Sequence, residues 1–197
     1  MERTDLGRIM AFTDGVMAVA ITLLVLNLEV PDVPAREMND AVADLIPSLI
    51  AYLLAFALVG RFWIVHHRLF ETLRRFDATL MTLNLVFLAL IVLVPFGTEL
   101  YDRYTDEPLA AAVLGSILGL AALTHWTMST HTLRRGYVDD AARADNLAFA
   151  SPIGLGFTAL FLLSVPVAYI STTVATLFWL ATILLHRPLR RMGATGR

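Results

Sequence analysis

Long apolar stretches recur along this chain, and each is long enough to cross a lipid bilayer as a helix. A hydrocarbon core about 30 Å thick is spanned by about 20 helical residues, because each residue adds about 1.5 Å. Only 16% of the 197 residues are charged and 57% are hydrophobic, whereas about a quarter of the residues in a soluble domain are charged. The sequence therefore predicts an integral membrane protein with little chain left for a soluble domain.

The apolar stretches predict an all-α fold, in which residues 1–197 form a single transmembrane domain with six membrane-spanning helices. The predicted spans cover residues 6–28, 45–69, 78–100, 109–132, 146–170 and 174–186. The prolines of the third and fifth spans lie near the predicted span ends and not at mid-membrane. Gly115 and Gly119 form a G-x-x-x-G pattern in the fourth span, which predicts close helix packing within or between subunits.

The chain has no lysine, and its fifteen arginines are distributed unevenly over the predicted loops. Twelve of them lie on the side that carries both termini and the loops after spans two and four, against only Arg36 and Arg103 on the opposite side. Cytoplasmic loops are enriched in basic residues, so both termini are predicted to be cytoplasmic. The opposite side carries nine acidic residues, which either attract cations to a pathway or merely reflect the sorting of arginine to the cytoplasm.

The first span has a polar beginning and a two-sided apolar body. On a helical wheel with about 100° per residue, Val19, Leu23 and Leu26 share one stripe, and Thr22 lies beside it. Asp14 points about 140° away from Val19 on the same wheel. One face of this helix is therefore expected to pack against protein, while the stripe either lines a pathway or is ordinary packing or lipid-facing surface.

The residues at the beginning of this span follow a distinctive order, R-x-x-x-F-T-D and then G-V-x-A-x-A-I-T-L-L-V-L. The residues that carry the first motif are Arg8, Phe12, Thr13 and Asp14. The pattern resembles the R-x-x-x-F-S-D signature of the transmembrane protein 175 family of potassium channels, with threonine in place of serine. The similarity continues in W-x-x-H, with Trp63 and His66, and in N-L-x-F-L, which begins at Asn84.

The resemblance implies a potassium channel, and it implies that a bacterial member with a single six-span repeat assembles as a homotetramer. It also implies a polar network between the first-span motif and the second and third spans, where Trp63, His66, His67 and Asn84 are the candidates. A single repeat, basic residues that are all arginine and basic cytoplasmic ends fit a multi-pass protein of a bacterial inner membrane. The expected permeant ion is potassium.

A conventional potassium filter is built from backbone carbonyls of a T-V-G-Y-G loop, and the sequence contains no such loop. Side chains must then form the constriction, and with the resemblance the stripe of the first span is the preferred candidate. Its residues are Val19, Thr22, Leu23 and Leu26. In a symmetric tetramer around the first helix, rings of aliphatic side chains gate by dewetting and favour potassium modestly, because potassium loses water more readily than sodium.

A proton- or ion-coupled transporter with Asp14 and His66 as its relay is the alternative, although transporters usually show internal repeats and helices broken at mid-membrane. Motifs of the common enzyme classes are absent, so no enzyme is expected. Ionisable and polar residues inside spans are functional candidates; beyond the motif they include Arg61 and His125. His66 and His67 diverge by about 100° on a helix and cannot bind one ion together, so neither a metal nor a cofactor is expected.

Overall fold

A computed structural model of the chain describes residues 3–138 and 152–184, and these residues form a bundle of α-helices. Two short 3₁₀ segments, Leu24–Asn27 and Ala35–Glu37, follow the first helix and precede the second. The helices are α1 (Arg3–Leu23), α2 (Met38–Asp44), α3 (Ile46–Glu71), α4 (Ala78–Val92), α5 (Val94–Arg103), α6 (Pro108–Arg135), α7 (Pro152–Ala168) and α8 (Thr172–Leu184).

Four stretches of helix are long and apolar enough to cross a membrane, and they coincide with the first four predicted spans. These stretches are Leu6–Asn27, Ile46–Glu71, Ala78–Arg103 and Pro108–Arg135. Two shorter apolar helices, Gly154–Ala168 and Thr172–Leu184, lie where the fifth and sixth spans are predicted. Residues 146–151 and 185–186 of those two predicted spans lie outside the described residues. The all-helical architecture is confirmed, and the number of six spans stays a prediction.

The third predicted span is two helices and not one. α4 ends at Val92 and α5 begins at Val94, with Pro95 in the first turn of α5. Proline has no N–H to donate to the carbonyl four residues earlier, so the regular hydrogen-bond ladder is interrupted there. The turn closes through a bond from Leu93 N to Leu90 O, and the next ladder bond runs from Gly97 N to Leu93 O. The break lies within the long apolar stretch Ala78–Arg103, further from its end than the sequence predicts.

The buried centre of the bundle is α6, which packs against α4, α5 and α7. In the most apolar part of α6, 61% of the residues are buried inside the protein, compared with 28% for the first span and 28% for α3. α1 packs on α3, α4 and α5, and its opposite face is exposed. The helices α1 and α3 therefore lie at the periphery of a single chain, with one face left for lipid or for other copies.

The glycine pattern of α6 lies against α7 of the same chain. A Cβ atom on Gly115 would lie 2.6 Å from Ser164 Oγ, and one on Gly119 would lie 2.5 Å from a methyl carbon of Leu162. The Ser164 hydroxyl is fixed in place, because it accepts a hydrogen bond from Trp179 Nε1 and donates one to Phe161 O. The predicted close helix packing is therefore a contact within one subunit that joins α6, α7 and α8.

Asp77 joins three segments just outside the membrane spans. It caps α4 by accepting a hydrogen bond from Leu80 N at 2.8 Å, and its other oxygen accepts from His131 Nε2 at 2.9 Å and from Tyr137 OH at 3.1 Å. Partial burial raises the pKa of Asp77, but these three hydrogen bonds outweigh it and lower the pKa below the ordinary value of 3.8. The ionised carboxylate therefore stabilises the fold.

We predict that Gly115→Ala destabilises the bundle, because the added methyl group displaces Ser164 Oγ and leaves the buried indole N–H of Trp179 without its partner. An unsatisfied buried donor costs about 1–3 kcal/mol. The apparent Tm of the purified protein in detergent measures this loss. Gly156→Ala is the matched control, since a Cβ there meets no atom within 4 Å. Equal Tm values for the two variants would contradict the close contact.

We also predict that Asp77→Ala lowers the Tm, since loss of a helix N-cap alone costs about 1 kcal/mol. A carboxylate whose folded pKa is depressed adds stability above its unfolded pKa, and this stability is lost as the pH falls through the folded pKa. The Tm difference between wild type and Asp77→Ala should therefore be full at pH 7 and shrink below about pH 4. Asp77→Asn, which keeps a capping oxygen without a charge, should show a difference from Asp77→Ala that does not depend on pH.

Candidate functional site

The polar residues at the beginning of α1 divide into two groups that face different neighbours. Thr13 is fully buried, whereas the Asp14 side chain is 42% exposed. Adjacent helical residues diverge by about 100°, so their side chains contact different parts of α3 and α4. The structure thus separates residues that stand side by side in the motif.

The buried group is a chain of hydrogen bonds through three helices. Asn84 Nδ2 on α4 donates to Thr13 Oγ1 on α1 at 3.0 Å, and Asn84 Oδ1 lies 2.8 Å from His66 Nε2 on α3. Because the amide oxygen only accepts, His66 Nε2 carries the proton in this arrangement. The imidazole is stacked between Phe70 and Phe87, with ring centroids at 4.2 and 4.9 Å. The hydroxyl of Thr13 supplies the acceptor, and so it fills the role that a serine would have there.

The second group lies at the surface of the chain, between α1 and α3. Trp63 Nε1 donates to Asp14 Oδ1 at 2.9 Å, and His67 Nδ1 lies 3.9 Å from the same oxygen. His67 also approaches Glu71 at 3.2 Å and stacks on Trp63, with ring centroids 5.2 Å apart. Asp14 is therefore held by α3, through residues other than His66.

This geometry shows which partners Asp14 and His66 have. Asp14 contacts Trp63 and His67, while His66 contacts Asn84. A direct proton relay from Asp14 to His66 is not formed by the described hydrogen bonds. The two groups instead hold α1 at two neighbouring points, one against α4 and one against α3.

The apolar stripe of α1 lies at the surface of the described part of the chain. Val19 is 57% exposed and Leu26 is 71% exposed, and Thr22 and Leu23 are exposed as well. On the opposite face, Met17 and other side chains are buried in the core of the bundle. Arg8 and Phe12 also lie on exposed positions of α1.

The end of α1 tightens into a 3₁₀ turn from Leu24 to Asn27. In 3₁₀ geometry, residues three apart eclipse each other, which keeps Leu23 and Leu26 in line. Thr22 Oγ1 donates to Val19 O at 2.9 Å. Its proton is thereby used within the helix, and the lone pairs of the oxygen remain as acceptors on the exposed side.

Sequence reasoning missed a set of contacts at this end of α1. Asn27 Nδ2 donates to Pro95 O at 3.2 Å, and Glu29 lies 3.3 Å from Arg103, which also contacts Glu99 at 2.9 Å. A lone amide side chain at the end of an apolar span was the available signal, since such a group needs a partner when it is partly buried. These contacts tie the end of α1 to α5.

The remaining polar candidates lie away from the stripe. The guanidinium carbon of Arg61 lies 4.8 Å from the ring centroid of Phe157 on α7. His125 on α6 is buried, with its ring centroid 6.2 Å from that of His66. Among the described residues, no three histidine, aspartate or glutamate side chains come together as a metal-binding group.

Comparison with known proteins agrees with the motif. A family model described as the endosomal/lysosomal potassium channel TMEM175 matches residues 8–95. A protein named as a potassium channel from Streptomyces collinus is 37% identical over 156 residues, which cover 73% of this chain and 75% of that protein. A second potassium channel by name, from Chamaesiphon minutus, is 38% identical over 122 residues and 60% of each chain.

More distant similarity reaches animal proteins and a solved structure. A human protein named as the endosomal/lysosomal proton channel TMEM175 is 34% identical over 110 residues, which are 51% of this chain and 22% of that protein. The fold matches a crystal structure described as a lysosomal potassium-selective channel TMEM175 homolog from Chamaesiphon minutus. The TM-score is 0.78 with 29% sequence identity, over 93% of this chain and 96% of that chain. The chain belongs to the TMEM175 family of potassium channels.

Proposed function

We propose that this protein is a potassium-permeable cation channel whose pore is lined by α1 from four identical subunits. The observation that carries the proposal is the exposed stripe Val19, Thr22, Leu23 and Leu26 on a helix whose other face is buried. Relatives named as potassium channels support the choice of ion. The protein would be a multi-pass protein of a bacterial inner membrane with both termini in the cytoplasm.

Several copies are needed because the stripe points out of the single chain. Closed rotational symmetry would turn each exposed residue of α1 into a ring around the axis. Exposure alone does not distinguish a pore from a lipid-facing surface, since α3 also exposes Leu49, Leu53 and Phe56. The exposed face of α1, however, contains the small residues Gly15 and Ala18. Small residues are typical of surfaces where membrane helices approach one another closely.

The rings of Val19, Leu23 and Leu26 would form a constriction without an oxygen cage. A narrow aliphatic ring excludes water and so acts as a gate. Where the ring is wide enough to pass an ion, the ion gives up part of its hydration shell, which costs less for potassium than for sodium. The Thr22 oxygen, with its lone pairs free, gives the passing cation one polar contact beside the apolar rings. The expected selectivity is therefore modest.

The charge at the opposite end of the helices supports a cation pathway. Both arginines of that side are neutralised locally, Arg36 by Glu37 at 2.9 Å and Arg103 by Glu29 and Glu99. The other acidic residues on this side remain as a surplus of negative charge. Such a surplus raises the local concentration of cations, an effect that falls as the salt concentration rises.

A coupled transporter is less well supported by the contacts. Its relay would need Asp14 and His66 to exchange a proton, yet the described contacts of Asp14 run to Trp63 and His67. Single-channel current steps from the purified protein would exclude transport by alternating access. Flux that saturates and requires a second ion would favour it.

We expect Leu23→Ala to widen the constriction, raise the conductance and weaken the discrimination between potassium and sodium. The reason is that dewetting depends on both the radius and the apolarity of the ring. The measurement is the reversal potential under bi-ionic potassium and sodium conditions in a reconstituted bilayer, with the current amplitude beside it. Leu53→Ala on α3 removes the same side chain from another exposed position and should leave both quantities at wild-type values. If Leu53→Ala changes both quantities and Leu23→Ala changes neither, the proposal has placed the pore on the wrong surface.

We expect the polar contacts of Thr13 and those of Asp14 to affect the stability of the protein more than its ion selectivity. Asn84→Ala leaves buried Thr13 and His66 without partners, each at about 1–3 kcal/mol, whereas Asp14→Ala removes a bond at a partly exposed position. The Tm in detergent should fall more for Asn84→Ala than for Asp14→Ala. If an assembled Asp14→Ala channel keeps its Tm but changes its reversal potential, Asp14 acts in permeation and this expectation is wrong.

A further inference from the structure

The 3₁₀ end of α1 is anchored to α5 by contacts with both ends of that helix. Asn27, the last residue of the 3₁₀ turn, donates from Nδ2 to the carbonyl of Pro95 in the first turn of α5. Two residues further, Glu29 contacts Arg103, which is the last residue of α5. The stripe residue Leu26 immediately precedes Asn27. The anchor therefore acts on the turn that carries Leu26, the last residue of the stripe along the chain.

The two contacts differ in their expected strength. The side chains of Glu29 and Arg103 are 80% and 60% exposed, and exposed ion pairs contribute little. The bond from Asn27 is partly buried, and its acceptor residue Pro95 is buried. A carbonyl oxygen has two lone pairs, so Pro95 O accepts from Asn27 without losing its place in the helix ladder. The amide of Asn27 is thus the stronger part of the anchor.

The anchor joins α1 to the part of the third span that follows the break. A separate helix, α5, begins at Val94, and Pro95 interrupts the ladder of hydrogen bonds between α4 and α5. α5 packs against both the 3₁₀ turn and α3. The turn at the end of α1 therefore contacts the short helix α5 as well as α3.

We propose that Asn27 is a positioning residue for permeation, which holds the 3₁₀ turn of α1 on α5 and so fixes the direction of Leu26 at the outer ring of the pore. The inference rests on the proposed lining of the pore by α1. In a 3₁₀ turn each residue advances by about 120°, compared with about 100° in an α-helix. Release of the turn would therefore rotate Leu26 relative to Leu23 and disturb the alignment of the two rings.

The first arm of the test follows Leu26 without measuring current. The chain has no cysteine, so Leu26→Cys introduces a single thiol whose rate of modification by a water-soluble thiosulfonate is measured from the side of the 29–44 loop. Asn27→Leu replaces the amide donor with an apolar side chain of similar size and should change the modification rate about fivefold. This factor corresponds to the net contribution of one hydrogen bond, about 1 kcal/mol. Asn27→Gln keeps an amide donor and should restore the rate to within about twofold of wild type. Asn27→Ala serves as a second donor-less variant if Asn27→Leu fails to assemble.

The second arm compares bi-ionic reversal potentials. Asn27→Leu should weaken the preference for potassium over sodium while Asn27→Gln retains it. Asn39→Leu, the same change at an exposed asparagine of α2, should match wild type. If Leu23→Ala shifts the reversal potential but the donor-less Asn27 variants match wild type in both arms, the positioning role is overturned and the pore assignment stands. If Leu23→Ala also has no effect, the pore assignment fails, and the inference fails with it.

Discussion

The hydrogen bonds from Thr13 through Asn84 to His66 set the rotation of the first helix, and much of the structure depends on that rotation. These three side chains are buried, where an unpaired polar group is costly. A rotation of α1 by one residue would turn Thr13 away by about 100° and leave Asn84 without its acceptor. The network therefore fixes which side of α1 enters the core, and by the same rotation it fixes the stripe that faces outward.

The bundle has a closely packed, buried centre and a peripheral first helix. Close contact at Gly115 and Gly119 brings α6 and α7 together, and the bond between Trp179 and Ser164 adds α8. α1 is attached to this centre mainly through α3, α4 and α5. Such an arrangement leaves a face of α1, and one of α3, accessible to neighbouring copies or to lipid. It fits the proposed pore between subunits.

Hydropathy was sufficient to predict the long spans, because about 20 apolar residues have few other stable arrangements. The G-x-x-x-G pattern predicted a close helix contact. It did not identify α7 as the partner, because the spacing of residues within one helix does not tell which other helix packs against it. The stripe that the helical wheel groups together is exposed in the structure, and its role in a pore stays a prediction. Trp63 and His67 were among the network candidates that the resemblance implied, but which candidate meets Asp14 depends on the register of α3, which the whole bundle sets. The break at Leu93 and the anchor at Asn27 were missed because Pro95 was interpreted by its distance from the span end.

The most direct test for a pore between subunits is oxidative crosslinking, in native membranes, of a single cysteine introduced on α1. The chain has no cysteine of its own, so any disulfide between subunits must involve the introduced residue. Leu23→Cys should form disulfide-linked pairs of subunits, since the stripe of each copy would face the same axis. Leu53→Cys, on the exposed face of α3, should remain monomeric under the same oxidation. If Leu23→Cys never crosslinks and instead reacts with lipid-soluble probes as Leu53→Cys does, α1 faces lipid and the pore lies elsewhere.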